Sequence, residues 1–111
     1  MTILGIGLEQ GTLNSLSALA DRGFQTIETT SFEEAGKVVD NTDVYAVLVD
    51  SHATQKIRED INRLLAETPV TTKIVLVTHP KDMISCEQFK ALGVNTIDSK
   101  ITSDDLVQLL L

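Results

Sequence analysis

The stretch VYAVLVDSHAT, residues 44–54, decides the fold of this 111-residue chain. Its apolar run, Tyr45 to Val49, ends on the carboxylate of Asp50. A run this apolar is typical of a strand buried on both faces, as in parallel sheets that helices cover on each side. We therefore expect a strand in the middle of such a sheet, with Asp50 at its carboxyl end.

The segments around this strand alternate between strand and helix patterns. Turn and capping signals separate them, among them SFEE at 31–34, which is typical of a capping box. The predicted strands are 3–7, 25–29, 44–49, 73–78 and 94–99. The first predicted helix has its apolar stripe at 13–20 and a stop at Gly23, the second covers 31–39, and the third has its stripe at 57–65 and ends before Pro69. The fourth is capped at 85–88 and ends at Gly93, and the last is opened by TSDD at 102–105. This alternation predicts an α/β fold: a flavodoxin-like, doubly wound, five-stranded parallel sheet with helices on both faces.

Composition narrows the function classes. Hydrophobic residues make up 42% of the chain and aromatic residues only 4%, so we expect an aliphatic core. The formal charge of −7 argues against binding of nucleic acid or of an anionic membrane. The N-terminal segment has neither the basic region of a signal peptide nor the length of a membrane span. Cys86 is the one cysteine, which excludes an internal disulfide and favours a reducing, cytoplasmic location.

The length predicts a single domain over residues 1–111. The chain ends on LVQLLL, without a cap or stop signal. Two interpretations stay open, a domain cut from a longer protein and a short natural chain.

Three polar residues end predicted strands: Asp50 the third, Thr78 the fourth and Lys100 the fifth. Because the carboxyl ends of parallel strands lie along one edge, we expect these side chains to lie near one another. A carboxylate that accepts a phosphoryl group, with a hydroxyl and an ammonium to bind its oxygens, suits this set. The alternative is structural: Asp50 a helix cap, Thr78 an ordinary strand residue and Lys100 a solvated loop cation.

In these features the chain resembles the receiver domains of two-component response regulators over its whole length. The separations from Asp50 to Thr78 (28 residues) and from Thr78 to Lys100 (22 residues) resemble the family's spacing. GVNTIDSKITSDDL at 93–106 and ETTSFEEA at 28–35 are similar to family segments around the fifth strand and the second helix.

The resemblance implies a signalling function rather than an enzyme, apart from the domain's own phosphorylation and dephosphorylation. Asp50 would be the phosphoacceptor, Thr78 the switch hydroxyl and Lys100 the counter-ion. A sensor histidine kinase or phosphotransfer protein would supply the phosphoryl group. The output would be regulation of an attached domain, or of a protein bound on the face of the fourth helix, fifth strand and last helix.

Departures from the family pattern collect at the same sheet edge. Receivers carry two adjacent acids after the first strand, which hold Mg²⁺ with the phosphoacceptor. This chain has GIGLEQ there, with only Glu9, so we expect Glu9 and Asp50 to form a weak Mg²⁺ site. The family has a small residue after the switch threonine, and here His79 and Pro80 follow it. We expect His79 to restrict phosphoryl chemistry at Asp50 by its bulk.

Ser51, His52, Ala53 and Thr54 follow Asp50 where the family has an apolar residue and Met-Pro. Ile97 and Ile101 replace the family's aromatic and proline. Together these departures indicate an atypical receiver.

Other interpretations remain. A pseudo-receiver would use the same fold for protein interaction without phosphate. A small flavodoxin-like ligand-binding domain is disfavoured, because the predicted loops are short. His52 and His79 suggest a metal site with Asp50, but the spacing supplies no third zinc ligand, and solvent-facing histidines are the expectation. Cys86 is expected to be an ordinary helix residue, and the glycines at 5–11 lack dinucleotide-binding spacing.

Overall fold

A computed structural model of the chain describes residues 1–79 and 86–110. In this part of the chain, strands and helices alternate from end to end. The strands are β1 (Thr2–Ile6), β2 (Gln25–Thr29), β3 (Ala46–Asp50), β4 (Lys73–Thr78) and β5 (Asn95–Asp98). The helices are α1 (Gln10–Ala20), α2 (Phe32–Asn41), α3 (Ile57–Glu67), α4 (Cys86–Ala91) and α5 (Ser103–Leu110).

The strands form one parallel sheet in the order β2-β1-β3-β4-β5. β3 lies in the middle, and all of its residues are buried, as its apolar sequence predicts. The edge strands β2 and β5 are partly exposed. The predicted flavodoxin-like, doubly wound fold is confirmed.

Each face of the sheet has its own aliphatic core. Alternate strand residues on one face, among them Ile3 and Leu48, pack with Leu16 of α1 and Leu106 of α5. Their neighbours on the other face pack with residues of α2, α3 and α4, of which Ala35, Ile61, Leu64 and Phe89 are buried. Helices therefore cover both faces of the sheet.

Several element boundaries differ from the predicted ones by one to three residues. β3 begins at Ala46 rather than at Val44, although the amide of Tyr45 still donates to the Thr2 carbonyl. Such shifts are usual where a strand begins or ends. Ser31 caps α2 as predicted, accepting from the Glu34 amide. The predicted cap at Ser85 and the residue Pro80 lie outside the described residues, as does the side chain of Cys86.

The order of the strands reverses between β1 and β3, and ligands of doubly wound sheets bind at the carboxyl ends of strands beside such a point. The loop after β1 carries Gly7, whose φ is +61°. A Cβ atom on Gly7 would lie 2.7 Å from the Cβ of Ala53, in the loop after β3. Glycine therefore allows these two loops to approach closely.

No helix within residues 1–79 and 86–110 combines the length and the apolar character that crossing a bilayer requires.

Candidate functional site

Asp50 is the centre of a small polar cluster at the carboxyl edge of the sheet. It ends β3, and its side chain is 1% exposed. Its Oδ1 accepts a hydrogen bond of 2.7 Å from the backbone amide of His52. Burial of a carboxylate costs free energy unless donors compensate its charge, and this amide is one of them.

The imidazole of His79 is the second donor. Its Nε2 lies 3.0 Å from both Oδ1 and Oδ2 of Asp50, and its side chain is only 12% exposed. An ionised carboxylate only accepts hydrogen bonds, so in the His79 tautomer that pairs with it Nε2 carries the proton. In the neutral ring of this tautomer, Nδ1 is the nitrogen that carries the lone pair. His79 therefore closes Asp50 off from solvent and turns a second nitrogen outward.

Glu9 and His52 complete the cluster around His79. Oε2 of Glu9 lies 3.7 Å from Nδ1 of His79. The ring of His52 stacks on that of His79, with centroids 4.2 Å apart and planes 13° from parallel. Ligand atoms of Glu9, His52 and His79 all lie within 4.8 Å of one another. Three loops, after β1, β3 and β4, thus bring nitrogen and carboxylate donors to one place.

Thr78 and Lys100 lie outside this cluster of direct contacts. Thr78 ends β4, next to β3, but its hydroxyl donates to the Ile97 carbonyl at 3.1 Å. Lys100 follows the end of β5 by two residues, and its backbone amide donates to the Asp98 carboxylate at 2.8 Å. Its side chain is exposed, and among the described residues no ion pair joins it to Asp50.

Two expectations from the sequence need correction here. Solvent-facing histidines were expected, but His79 is largely buried against Asp50. The spacing of residues in the sequence supplied no third metal ligand, but in the structure Glu9 lies beside both histidines. The sequence signal was present as a lone acid after β1 and a histidine after each of β3 and β4, which are neighbouring loops of a parallel sheet.

The cluster fits Mg²⁺ poorly. Mg²⁺ requires an octahedron of oxygen ligands, usually with carboxylates and water. Both Asp50 oxygens face the His79 ring, and within the described chain Glu9 is the one other acid of the cluster. The donors that remain are mostly imidazole nitrogens, which suit transition metals better.

Comparison with solved structures identifies the fold. The chain is similar to the pilus assembly protein CpaE from Caulobacter crescentus, with a TM-score of 0.75, 17% identity and coverage of 98% of this chain and 89% of that one. A response regulator receiver protein from Burkholderia phymatum matches with a TM-score of 0.75 and 15% identity. The match covers 99% of this chain and 92% of that one. NtrX from Brucella abortus matches with a TM-score of 0.82 at 14% identity, over 97% of this chain but 24% of that one.

No protein-family model matches the sequence, and no curated protein is significantly similar to it. The structural likeness shows that the chain has the fold of response-regulator receiver domains.

Proposed function

We propose that this chain is a signalling module of the receiver fold that acts through protein–protein contact without phosphoryl transfer at Asp50. The observation that carries this proposal is the closed state of Asp50. Its carboxylate is 1% exposed, and both oxygens lie 3.0 Å from Nε2 of His79. This is the pseudo-receiver interpretation of the sequence.

A phosphoacceptor must offer one carboxylate oxygen to an incoming phosphorus in line with the leaving group. The His79 ring lies at both oxygens, so it occupies the volume that a phosphoryl group needs. Lys100, which would neutralise the transferred group, makes no ion pair with Asp50 in the described residues. These contacts disfavour phosphorylation of the closed state.

The surface that suits a protein partner lies along β5 and α5, next to α4. A shallow groove there is lined by two apolar side chains, Ile97 and Ile101, and by the charged side chains of Asp98, Lys100 and Asp105. An apolar centre with a charged rim is typical of a transient protein interface. We propose that a protein partner, or an attached output domain, binds here.

A second function is favoured by the position of Asp50 at the end of β3, next to the end of β4 at Thr78. In this alternative Asp50 is a phosphoacceptor, served by a sensor histidine kinase or phosphotransfer protein. His79 must first turn away from Asp50, Glu9 and Asp50 hold Mg²⁺ weakly, and Thr78 and Lys100 bind the phosphoryl oxygens.

Incubation with acetyl phosphate and Mg²⁺, followed by intact-mass measurement, separates the two functions. We expect no phosphorylated species from the native chain or from the matched histidine control His52→Ala, whereas His79→Ala, which uncovers both Asp50 oxygens, should become labelled. Labelling of the native chain that Asp50→Asn abolishes would establish the phosphoacceptor function instead. Labelling of His79→Ala alone would show that the His79 ring keeps Asp50 unphosphorylated in the native chain, whereas labelling of neither variant would place the block in the rest of the site.

A further inference from the structure

We propose that Glu9, His52 and His79 bind a divalent transition-metal ion, with Zn²⁺ as the expected occupant, and that Asp50 positions two of these ligands. Donor atoms of the three side chains lie within 4.8 Å of one another. They come from three separate loops, so the cluster is a product of tertiary structure rather than of neighbouring positions in one helix.

The donor chemistry selects the metal. Two imidazoles and one carboxylate form a ligand set that binds Zn²⁺ in proteins, with a fourth position left to water or another ligand. Imidazole also suits Cu²⁺, Ni²⁺ and Co²⁺, whereas Mg²⁺ and Ca²⁺ prefer oxygen. The site therefore differs in chemistry from an all-oxygen magnesium site.

The geometry needs only side-chain adjustment. Ligand atoms of a tetrahedral zinc site lie about 3.3 Å apart, given bonds of about 2.0–2.1 Å. Nδ1 of His79 and Oε2 of Glu9 are 3.7 Å apart. Glu9 has a side chain that is 58% exposed, and His52 is also exposed, so an ion can reach both from solvent. His79, held by Asp50, is the fixed ligand.

Asp50 prepares both histidines for this role. Because Nε2 of His79 donates to Asp50, the Nδ1 lone pair of the neutral ring faces Glu9. Histidines that bind metals commonly donate their other ring nitrogen to a carboxylate in this way, which fixes the tautomer and the ring orientation. Oδ1 of Asp50 also accepts from the His52 amide, so one buried carboxylate holds both histidine loops.

The charge distribution favours a cation at this edge. Helices that follow strands of a parallel sheet begin at the carboxyl edge, and acids occupy the first turns of four of them: Glu33, Glu34, Glu59, Asp60, Glu87, Asp104 and Asp105. The field of these acids attracts divalent cations and repels anions. The metal site needs neither phosphoryl transfer nor a partner, so it stands independently of the proposed function.

Calorimetric titration of the tag-free chain with Zn²⁺, and absorption spectroscopy with Co²⁺, test the site. We expect one equivalent of metal and a Co²⁺ spectrum of low coordination number. His52→Ala and Glu9→Gln, two exposed ligands, should each weaken Zn²⁺ binding by at least about tenfold. Asp50→Asn should weaken it by about tenfold while the Co²⁺ spectrum keeps its form, since Asp50 positions ligands without binding the ion.

Two control substitutions test whether zinc binds outside the cluster. Asp43→Asn removes an exposed acid from the opposite end of β3 and should leave the affinity unchanged. Cys86→Ser should do the same. The proposal would be overturned if the folded native chain did not bind zinc, or if His52→Ala and Glu9→Gln bound it as tightly as the native chain does. Loss of binding in Cys86→Ser would also overturn it.

Discussion

Asp50 carries its carboxylate inside the protein, where the His52 amide and the His79 ring are its hydrogen-bond partners. An uncompensated buried carboxylate would be costly, so these partners make the position tolerable. The residue combines a location typical of a reactive group with contacts typical of a structural one. Substitution separates these two roles.

We expect Asp50→Asn to change the free energy of unfolding by no more than about 1 kcal/mol, because the amide oxygen still accepts from His52 and the His79 ring can change its tautomer. Asp50→Ala should cost about 1–3 kcal/mol, since the partly buried His52 amide and His79 ring lose their acceptor. Urea denaturation of the two variants measures the difference. A stability loss in Asp50→Asn as large as that in Asp50→Ala would mean that the negative charge itself is required.

The ligands around Glu9 limit the affinity of this cluster for Mg²⁺. One carboxylate beside imidazoles replaces the oxygen-rich ligand set that the ion prefers, so we expect a dissociation constant on the order of millimolar or weaker. Titration followed by NMR of backbone amides in the loops after β1 and β3 gives this constant. A micromolar constant for Mg²⁺ would contradict the prediction and would show that further oxygen ligands exist.

At the scale of elements, the loops at the carboxyl edge determine how the cluster assembles. The loop after β1 meets the loop after β3 where Gly7 approaches Ala53, and this approach brings Glu9 towards His52. The close approach of the backbone at Gly7 thus helps to hold the side chains of the cluster together.

Gly7→Ala should destabilise the fold by about 1–3 kcal/mol, because φ is +61° there and the new methyl group would collide with Ala53. Gly11→Ala is the matched control. It lies in α1 with nothing within 4 Å of a new Cβ, so it should be neutral or stabilising by up to about 1 kcal/mol. Thermal unfolding of the pair measures both effects, and equal melting temperatures would refute the steric argument.

The cap of α2 offers a second test at this scale. Ser31 accepts from the Glu34 amide at 3.2 Å, and Ser31→Ala should cost about 1 kcal/mol of stability. Ser17→Ala, at an exposed position inside α1, should have no cost because alanine has the higher helix propensity. Chemical denaturation compares the two substitutions. A Ser17→Ala loss equal to that of Ser31→Ala would show that capping is not the cause.

At the scale of the molecule, stability depends on a central sheet with one aliphatic core on each face. Leu48 is fully buried in β3, between β1 and β4. The last helix, α5, joins the same core, and the Leu110 carbonyl accepts from the Tyr45 hydroxyl and, at 3.1 Å, from the Lys73 ammonium.

Leu48→Ala should therefore cost about 2–5 kcal/mol through lost burial and a cavity in the core. The same substitution at Leu92, which is 44% exposed, should cost less than about 1 kcal/mol. Urea midpoints of the two variants measure this contrast. Similar losses at both sites would mean that the sheet is not the centre of stability.

The sequence by itself determined the elements and the class of fold. Apolar runs, helical periodicity and capping signals involve residues close in sequence, so they can be recognised without the structure. The run from Tyr45 to Val49 required a strand covered on both faces, and this requirement placed β3 inside the sheet and Asp50 at its edge. The strand order followed because right-handed crossovers leave few alternatives.

Only the tertiary structure decided what Asp50 faces. Its contact with His79 joins positions 29 residues apart, and Glu9 meets His79 from a third loop. No local period encodes such contacts, because they depend on how closely loops approach and on the rotamers that packing permits. For that reason the sequence located the edge of the sheet where chemistry collects, whereas the folded chain determined that a histidine lies against the buried carboxylate.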